Sequence, residues 1–330
     1  MNTPPANPNA LAWRLTIAAV CLQLLCTILV QVYLVQFSPM ADQMRTMYGR
    51  PEMVATTVVQ AVAVYLLLGL TTWCTTQRWL RRHDAHQVDR PGRMTATLLA
   101  VSLVLFVLIS AGLALLQNAF YKFVIDHDTF GYYGAARVLV MALPLKLCGI
   151  LITVLAGWLA VRIAAWSVTP ASRTGAPPYR PRHAAWIAAL TLLLWQLHVG
   201  LMLGSYFKAY ALSAQLLEYA IGYWILPAVI LALAAWACLK SLPRTLGTAG
   251  AGRAIAHGTF AFWLAQVLGV GLAVLVIWQM NWSQLVRAGE SYTTTVVSLL
   301  IYGALVTLGC HAGARLFYRR RETPPPTAPA

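Results

Sequence analysis

Residues 95–116 read TATLLAVSLVLFVLISAGLALL and contain no charged side chain. As an α-helix, a run of this length reaches about 33 Å, which is enough to cross the roughly 30 Å hydrocarbon core of a bilayer. Seven more apolar runs occur, at about residues 11–35, 53–73, 138–161, 184–204, 219–239, 255–278 and 293–308. The sequence therefore predicts an all-α membrane protein, a bundle of about eight transmembrane helices.

The composition favours a bilayer over a soluble core. Hydrophobic residues make up 59% of the chain and charged residues only 10%, whereas about a quarter of a soluble domain is charged. A net charge of +15 is also compatible with a nucleic-acid partner, but the arginines occupy short segments between apolar runs. Lipid headgroups and membrane topology explain that placement better, so we expect the bilayer as partner and no nucleic acid.

Lysine and arginine also predict the orientation. With the N-terminus inside, the cytoplasmic segments hold 17 of them and the opposite loops hold six, with Lys146 inside a run. Cytoplasmic loops carry the excess of basic residues. We therefore expect both termini in the cytoplasm and an integral protein of a bacterial inner (cytoplasmic) membrane.

The chain divides into a polar N-terminus and a basic, proline-rich tail around one membrane domain. Residues 1–10 and 319–330 are expected to be disordered, and residues 11–318 to form the transmembrane domain. Segments 56–82 and 294–320 align without gaps, each beginning TTVV and carrying an RR pair at its end. Repeated helical hairpins would explain this, with halves at 11–168 and 182–318. The alternative is that every inward hairpin needs a basic cytoplasmic end.

Lys146 is the first candidate for a binding residue. It follows Pro144 inside the run 138–161. A lysine at the bilayer centre costs about 2.5–3.5 kcal/mol on insertion scales, and such residues mark functional sites by default. The alternative is that Lys146, about 24 Å from Arg162 along a helix, extends its ammonium group to the outer headgroups.

Uncharged polar residues and histidines inside the runs are further candidates. We predict a binding role for Gln196, His198, Gln266 and His311, the first three by lining a polar cavity in the second half; hydrogen bonds between helices are the alternative. Counted from the cytoplasmic ends, His198 lies about 20 Å deep and His311 about 8 Å deep, which argues against one shared haem. His257 lies nearer the depth of His311, so haem stays open as a cofactor although none is predicted.

Small residues and one proline indicate where helices pack. Gly200 and Gly204, and likewise Gly309 and Gly313, have the G-x-x-x-G spacing that lets helices approach closely. Pro144 removes one helical hydrogen bond. We assign these five residues to helix packing.

The sequence contains no motif that names a reaction. No Asp or Glu lies deep in an apolar run, no zinc-ligand spacing and no phosphate-binding loop occurs, and none of the six cysteines forms C-x-x-C. We therefore predict neither catalytic nor metal-binding residues, and a protein that is not an enzyme.

Three functions remain open on these grounds. The first is a transporter or channel that moves a small solute or a lipid. The second is a non-catalytic membrane subunit that anchors or assembles a larger complex, with a membrane protein partner or a second copy of the chain. The third is a redox subunit that binds haem or quinone.

Overall fold

The computed structural model describes residues 9–85, 87–126, 134–171, 180–207, 221–244, 246 and 250–318. These residues form ten α-helices and one short π-helical turn at Ile221–Ile225, directly before α7. The helices are α1 (Ala10–Gln36), α2 (Ala41–Tyr48), α3 (Pro51–Arg82), α4 (Pro91–Asp126), α5 (Gly134–Trp166), α6 (Pro181–Phe207), α7 (Leu226–Ser241), α8 (Ala251–Trp278), α9 (Trp282–Glu290) and α10 (Tyr292–Tyr318).

Eight of these elements are long and apolar enough to cross a membrane, namely α1, α3, α4, α5, α6, the π-turn with α7, α8 and α10. The predicted all-helical class and the span count are confirmed, and the chain is a polytopic integral membrane protein. Within the described ranges no strand occurs. The orientation of the termini and the duplication stay predictions.

Prolines and short polar motifs set where several helices begin. Helices α3, α4 and α6 start at Pro51, Pro91 and Pro181, where the missing N–H costs no helical hydrogen bond. Helix α9 starts with a capping box: Asn281 accepts from the Gln284 backbone N–H, and the Gln284 side chain accepts from the Asn281 backbone N–H. Such reciprocal bonds satisfy two orphan donors of the first turn.

The chain forms two compact units. Unit 1 contains Met1–Pro178 and Gln196–Pro227, and unit 2 contains Tyr179–Trp195 and Ala228–Ala330. In unit 1, α1 packs on α3 and α4, while α5 packs on α3 and α4. The predicted halves at 11–168 and 182–318 stay a prediction.

The best packed part of unit 1 is the end that carries Arg14, Arg81, Arg93 and Arg162, here named the basic end of unit 1. A single cluster of buried side chains occupies it, including Leu15, Leu80, Met94, Leu98, Val161 and Ala164. Close approach of the helices continues beyond it, since a β-carbon on Gly157 of α5 would come within 3.1 Å of Leu68 of α3.

Two connecting segments meet next to that end. Residues Val88 and Pro170 form an isolated antiparallel bridge, and the Asp89 N–H donates to the Thr169 carbonyl at 3.1 Å. The exposed Asp89 carboxylate accepts from the backbone N–H groups of Thr169 (3.0 Å) and Arg90 (2.8 Å). The bond from Thr169 is the main reason why the pKa of Asp89 lies below its usual value.

Unit 2 is also best packed at one end, the end that carries Arg182, Lys240, Arg253 and Arg315, here named the basic end of unit 2. There α8 lies between α6 and α10 with almost no intervening side chain. A β-carbon on Gly258 would overlap the Ala188 carbonyl of α6, and one on Gly309 would lie 2.6 Å from the Ala261 carbonyl of α8. Small residues allow this approach.

Candidate binding cavity of the first unit

Unit 1 contains a cavity of about 300 Å³ beyond its packed basic end. Helices α1, α3, α4 and α5 line it, together with His198 of α6. It runs along α5 from Ala160 to Lys146, a helical distance of about 21 Å. The volume lies at the lower end of the range of about 300–1,000 Å³ typical of small-molecule pockets.

Polar side chains from four helices line this mostly apolar cavity. They are Gln23 of α1, Thr72 of α3, Ser102 and Ser110 of α4, and Thr153 of α5. The Thr153 hydroxyl donates to the Gly149 carbonyl at 2.7 Å. The Thr72 side chain is 1% exposed, and its hydroxyl has no hydrogen-bond partner within the described ranges. A buried polar group without a partner is costly, and a bound ligand or water would relieve that cost.

Lys146 lies at the end of the cavity farthest from the basic end. It is half-buried, and the structure gives its ammonium group no hydrogen bond and no ion pair with the described residues. An ion pair elsewhere in the described residues, between Arg45 and Asp42, is exposed. A cation in a low-dielectric wall attracts an anion far more strongly than the same cation in water.

Two glycines of α5 define the shape of the cavity. A β-carbon on Gly149 would meet nothing within 4 Å, so the open space reaches the α5 backbone there. At Gly157, two turns closer to the basic end, α5 instead touches α3 through Leu68 and Thr71. The open space therefore reaches the α5 backbone at Gly149, whereas α5 is in close contact with α3 at Gly157.

The predicted binding residues are distributed over both units. Lys146 and His198 line the cavity of unit 1. Gln196 is not among its lining residues, and its Oε1 is buried without a hydrogen-bond partner in the described part of the chain. In unit 2, Gln266 Nε2 donates to the Tyr302 hydroxyl at 2.9 Å, and His311 Nδ1 donates to the Thr307 carbonyl within α10 at 2.9 Å.

Of the residues predicted to pack helices together, some lie against a neighbouring helix and others do not. Gly309 and Gly313 lie against α8, as Gly313 meets the His257 ring. A β-carbon on Gly200 would meet nothing within 4 Å, and the surroundings of Gly204 lie outside the described residues. Pro144 lies inside α5 and is exposed.

The most buried polar residue of unit 2 is His257. Its side chain is fully buried, and Nε2 donates to the Cys310 carbonyl of α10 at 2.8 Å. Its ring meets Tyr318 edge to face at 5.8 Å. The sequence analysis places His257 nearer the depth of His311 and does not predict its burial. The available signal was the adjacent Gly258, which lets α6 contact the same turn of α8.

No group of three or more His, Cys, Asp or Glu side chains within the described ranges is arranged to hold a metal ion. The ring nitrogens of His257 and His311 that have described partners both bond helix carbonyls. Residues with hydroxyl, amide and ammonium side chains line the cavity of unit 1.

No known protein family matches the chain, and neither a curated protein nor a solved structure matches it significantly.

Proposed function

We propose that this protein is a non-enzymatic membrane protein of the transporter or channel type, and that unit 1 binds a small anionic solute. The observation that carries the proposal is Lys146, which lines the cavity and whose ammonium group has no described counter-ion. In this reading the solute supplies the counter-charge. The charge of the lysine stabilises the anion, and the anion lowers the cost of keeping that charge within the span.

The rest of the cavity supports a ligand that is polar but small. The hydroxyl groups of Ser102 and Thr72 and the amide of Gln23 offer donors along the wall, and donors are what an anion needs. The cavity extends along α5 as far as Ala160 and ends at the packed basic end, so a solute can descend no farther before the helices move apart. Movement of the solute across the membrane thus requires a rearrangement at the packed end.

The experiment is a thermal-shift titration of the purified full-length protein with chloride, inorganic phosphate, acetate and succinate. A ligand that binds the folded state raises its stability in proportion to RT ln(1 + [L]/Kd). We expect at least one anion to stabilise the wild type and Lys146→Gln to weaken its binding by about tenfold or more, since charged hydrogen bonds contribute about 1.5–3 kcal/mol. Flux of that anion into protein-containing vesicles then tests transport.

A matched pair of glycine variants separates the cavity from general damage. Gly149→Leu fills the cavity and should abolish binding. Gly112→Leu adds the same side chain at an exposed position of α4, where a β-carbon also meets nothing within 4 Å, and should leave binding unchanged. Equal binding by wild type, Lys146→Gln and Gly149→Leu would refute the proposal. A protein that retains a stoichiometric partner and binds no anion would favour the anchoring subunit instead.

A further inference from the structure

Unit 2 contains an apolar groove of about 700 Å³ at the end opposite its basic end. Helices α8 and α10 form its walls, and α9 borders its mouth through Leu285 and Ala288. Several wall side chains are exposed, among them Val270, Val276 and Val297. The described residues therefore leave this groove open.

The groove begins where the contact between α8 and α10 ends. At the basic end the two helices touch through Gly309 and Gly313. One to two turns farther along, the hydrogen bond between Gln266 and Tyr302 and the contact of Gly269 with Leu305 close the bottom of the groove. Beyond that point the groove lies between the two helices.

The length of the groove matches one leaflet of a bilayer. Its α8 wall extends from Ala265 to Ile277, about 18 Å at 1.5 Å per residue, and Met280 lines the groove just beyond the end of the helix. Half of a bilayer, including its headgroup region, measures about 20–22 Å. An acyl chain that enters at the interface would therefore reach the bottom of the groove near the middle of the membrane.

The mouth of the groove has the chemistry of a phospholipid headgroup site. Helix α9 is amphipathic, with Leu285 and Ala288 towards the groove and Arg287 exposed next to them. Thr293 and Thr294, in the first turn of α10, line the groove and carry hydroxyl groups. A short helix of this kind lies in the interface plane with its basic residue at the phosphates.

We propose that the groove of unit 2 is a binding site for one phospholipid of the leaflet on the α9 side. One acyl chain lies between α8 and α10, and the phosphate pairs with Arg287. The inference concerns unit 2 alone and does not depend on the solute cavity of unit 1.

The test is photo-crosslinking of the full-length protein in vesicles that contain phosphatidylglycerol with a diazirine at the end of one acyl chain. We expect adducts to concentrate at the bottom of the groove, at Gln266, Gly269 and Tyr302. They should exceed severalfold those on the exposed α4 positions Val104 and Leu108, which report lipids that merely surround the protein. Equal adduct yields at the groove positions and at the α4 positions would overturn the proposal. So would a groove without adducts, as expected if a second copy of the chain covers it.

Variants refine the same measurement. Ala273→Trp fills the groove and should lower the groove adducts severalfold, whereas Val274→Trp places the same side chain on the neighbouring exposed position outside it and should not. Arg287→Gln should lower the yield of groove adducts, because it removes the ion pair with the phosphate. An unchanged yield of these adducts would overturn the headgroup assignment. If Ala273→Trp fails to fold, the wild-type adduct map still decides.

Discussion

The imidazole ring of His257 lies directly against the backbone of Gly313, in the space that a β-carbon on residue 313 would occupy. The ring is fully buried, and its Nε2 donates to the Cys310 carbonyl of the same helix as Gly313. A glycine on α10 thus makes room for a polar side chain of α8, and the bond to Cys310 fixes that side chain.

Gly313→Ala should therefore destabilise unit 2. Overpacking costs about 1–3 kcal/mol, which exceeds the helix-propensity gain of about 1 kcal/mol for Gly to Ala. The measurement is the free energy of unfolding in detergent micelles. As control, Gly271→Ala adds a methyl group where nothing lies within 4 Å; it should be neutral or stabilising. Equal stability of the two variants would contradict the contact.

Replacing Tyr302 by phenylalanine should cost about 0.6–2 kcal/mol of stability, because Gln266 loses its hydrogen-bond partner inside the span. A double-mutant cycle with Gln266→Leu isolates the pair. We expect the double variant to be less destabilised than the sum of the single variants. Strict additivity would mean that the bond contributes nothing.

The loop contact at Asp89 should make the stability of the protein depend on pH under acidic conditions. Because hydrogen bonds in the folded state hold the pKa of Asp89 below its usual value of about 3.9, its contribution is present above that value. The contribution is lost as the pH falls through the lower folded-state pKa. We expect wild type to unfold at a higher temperature than Asp89→Ala at pH 6, with a difference that shrinks below about pH 4. A constant difference across this range would contradict the expectation.

Both termini should be accessible from the cytoplasm only. The physical reason is the retention of basic segments on that side of the membrane. Single-cysteine variants in a cysteine-free background, probed with a membrane-impermeant maleimide, provide the measurement. Position 87 lies on the same side as both termini in the predicted topology and should react only after the cells are opened. Position 283 lies on the opposite side and should react in intact cells. The reverse pattern would invert the topology.

The eight spans could be predicted because the length of an apolar run relates directly to bilayer thickness, as in residues 95–116. Helix α9 was not predicted, although its Asn281-x-x-Gln284 capping pattern was readable in the sequence. The burial of His257 could not be predicted, because it depends on Gly313 of α10, which only the tertiary structure brings against the ring. The same holds for the cavity at Lys146, which four distant segments must surround.

The contrast within unit 1 between its packed basic end and its cavity has a mechanical consequence. Helix α5 is held at Gly157 and is bordered by open space at Lys146, about 16 Å farther along. If α5 tilted by about 10° about Gly157, Lys146 would move by about 3 Å. That distance is about the diameter of a water molecule. Under the proposed function, a displacement of this size would be enough to admit or release the solute.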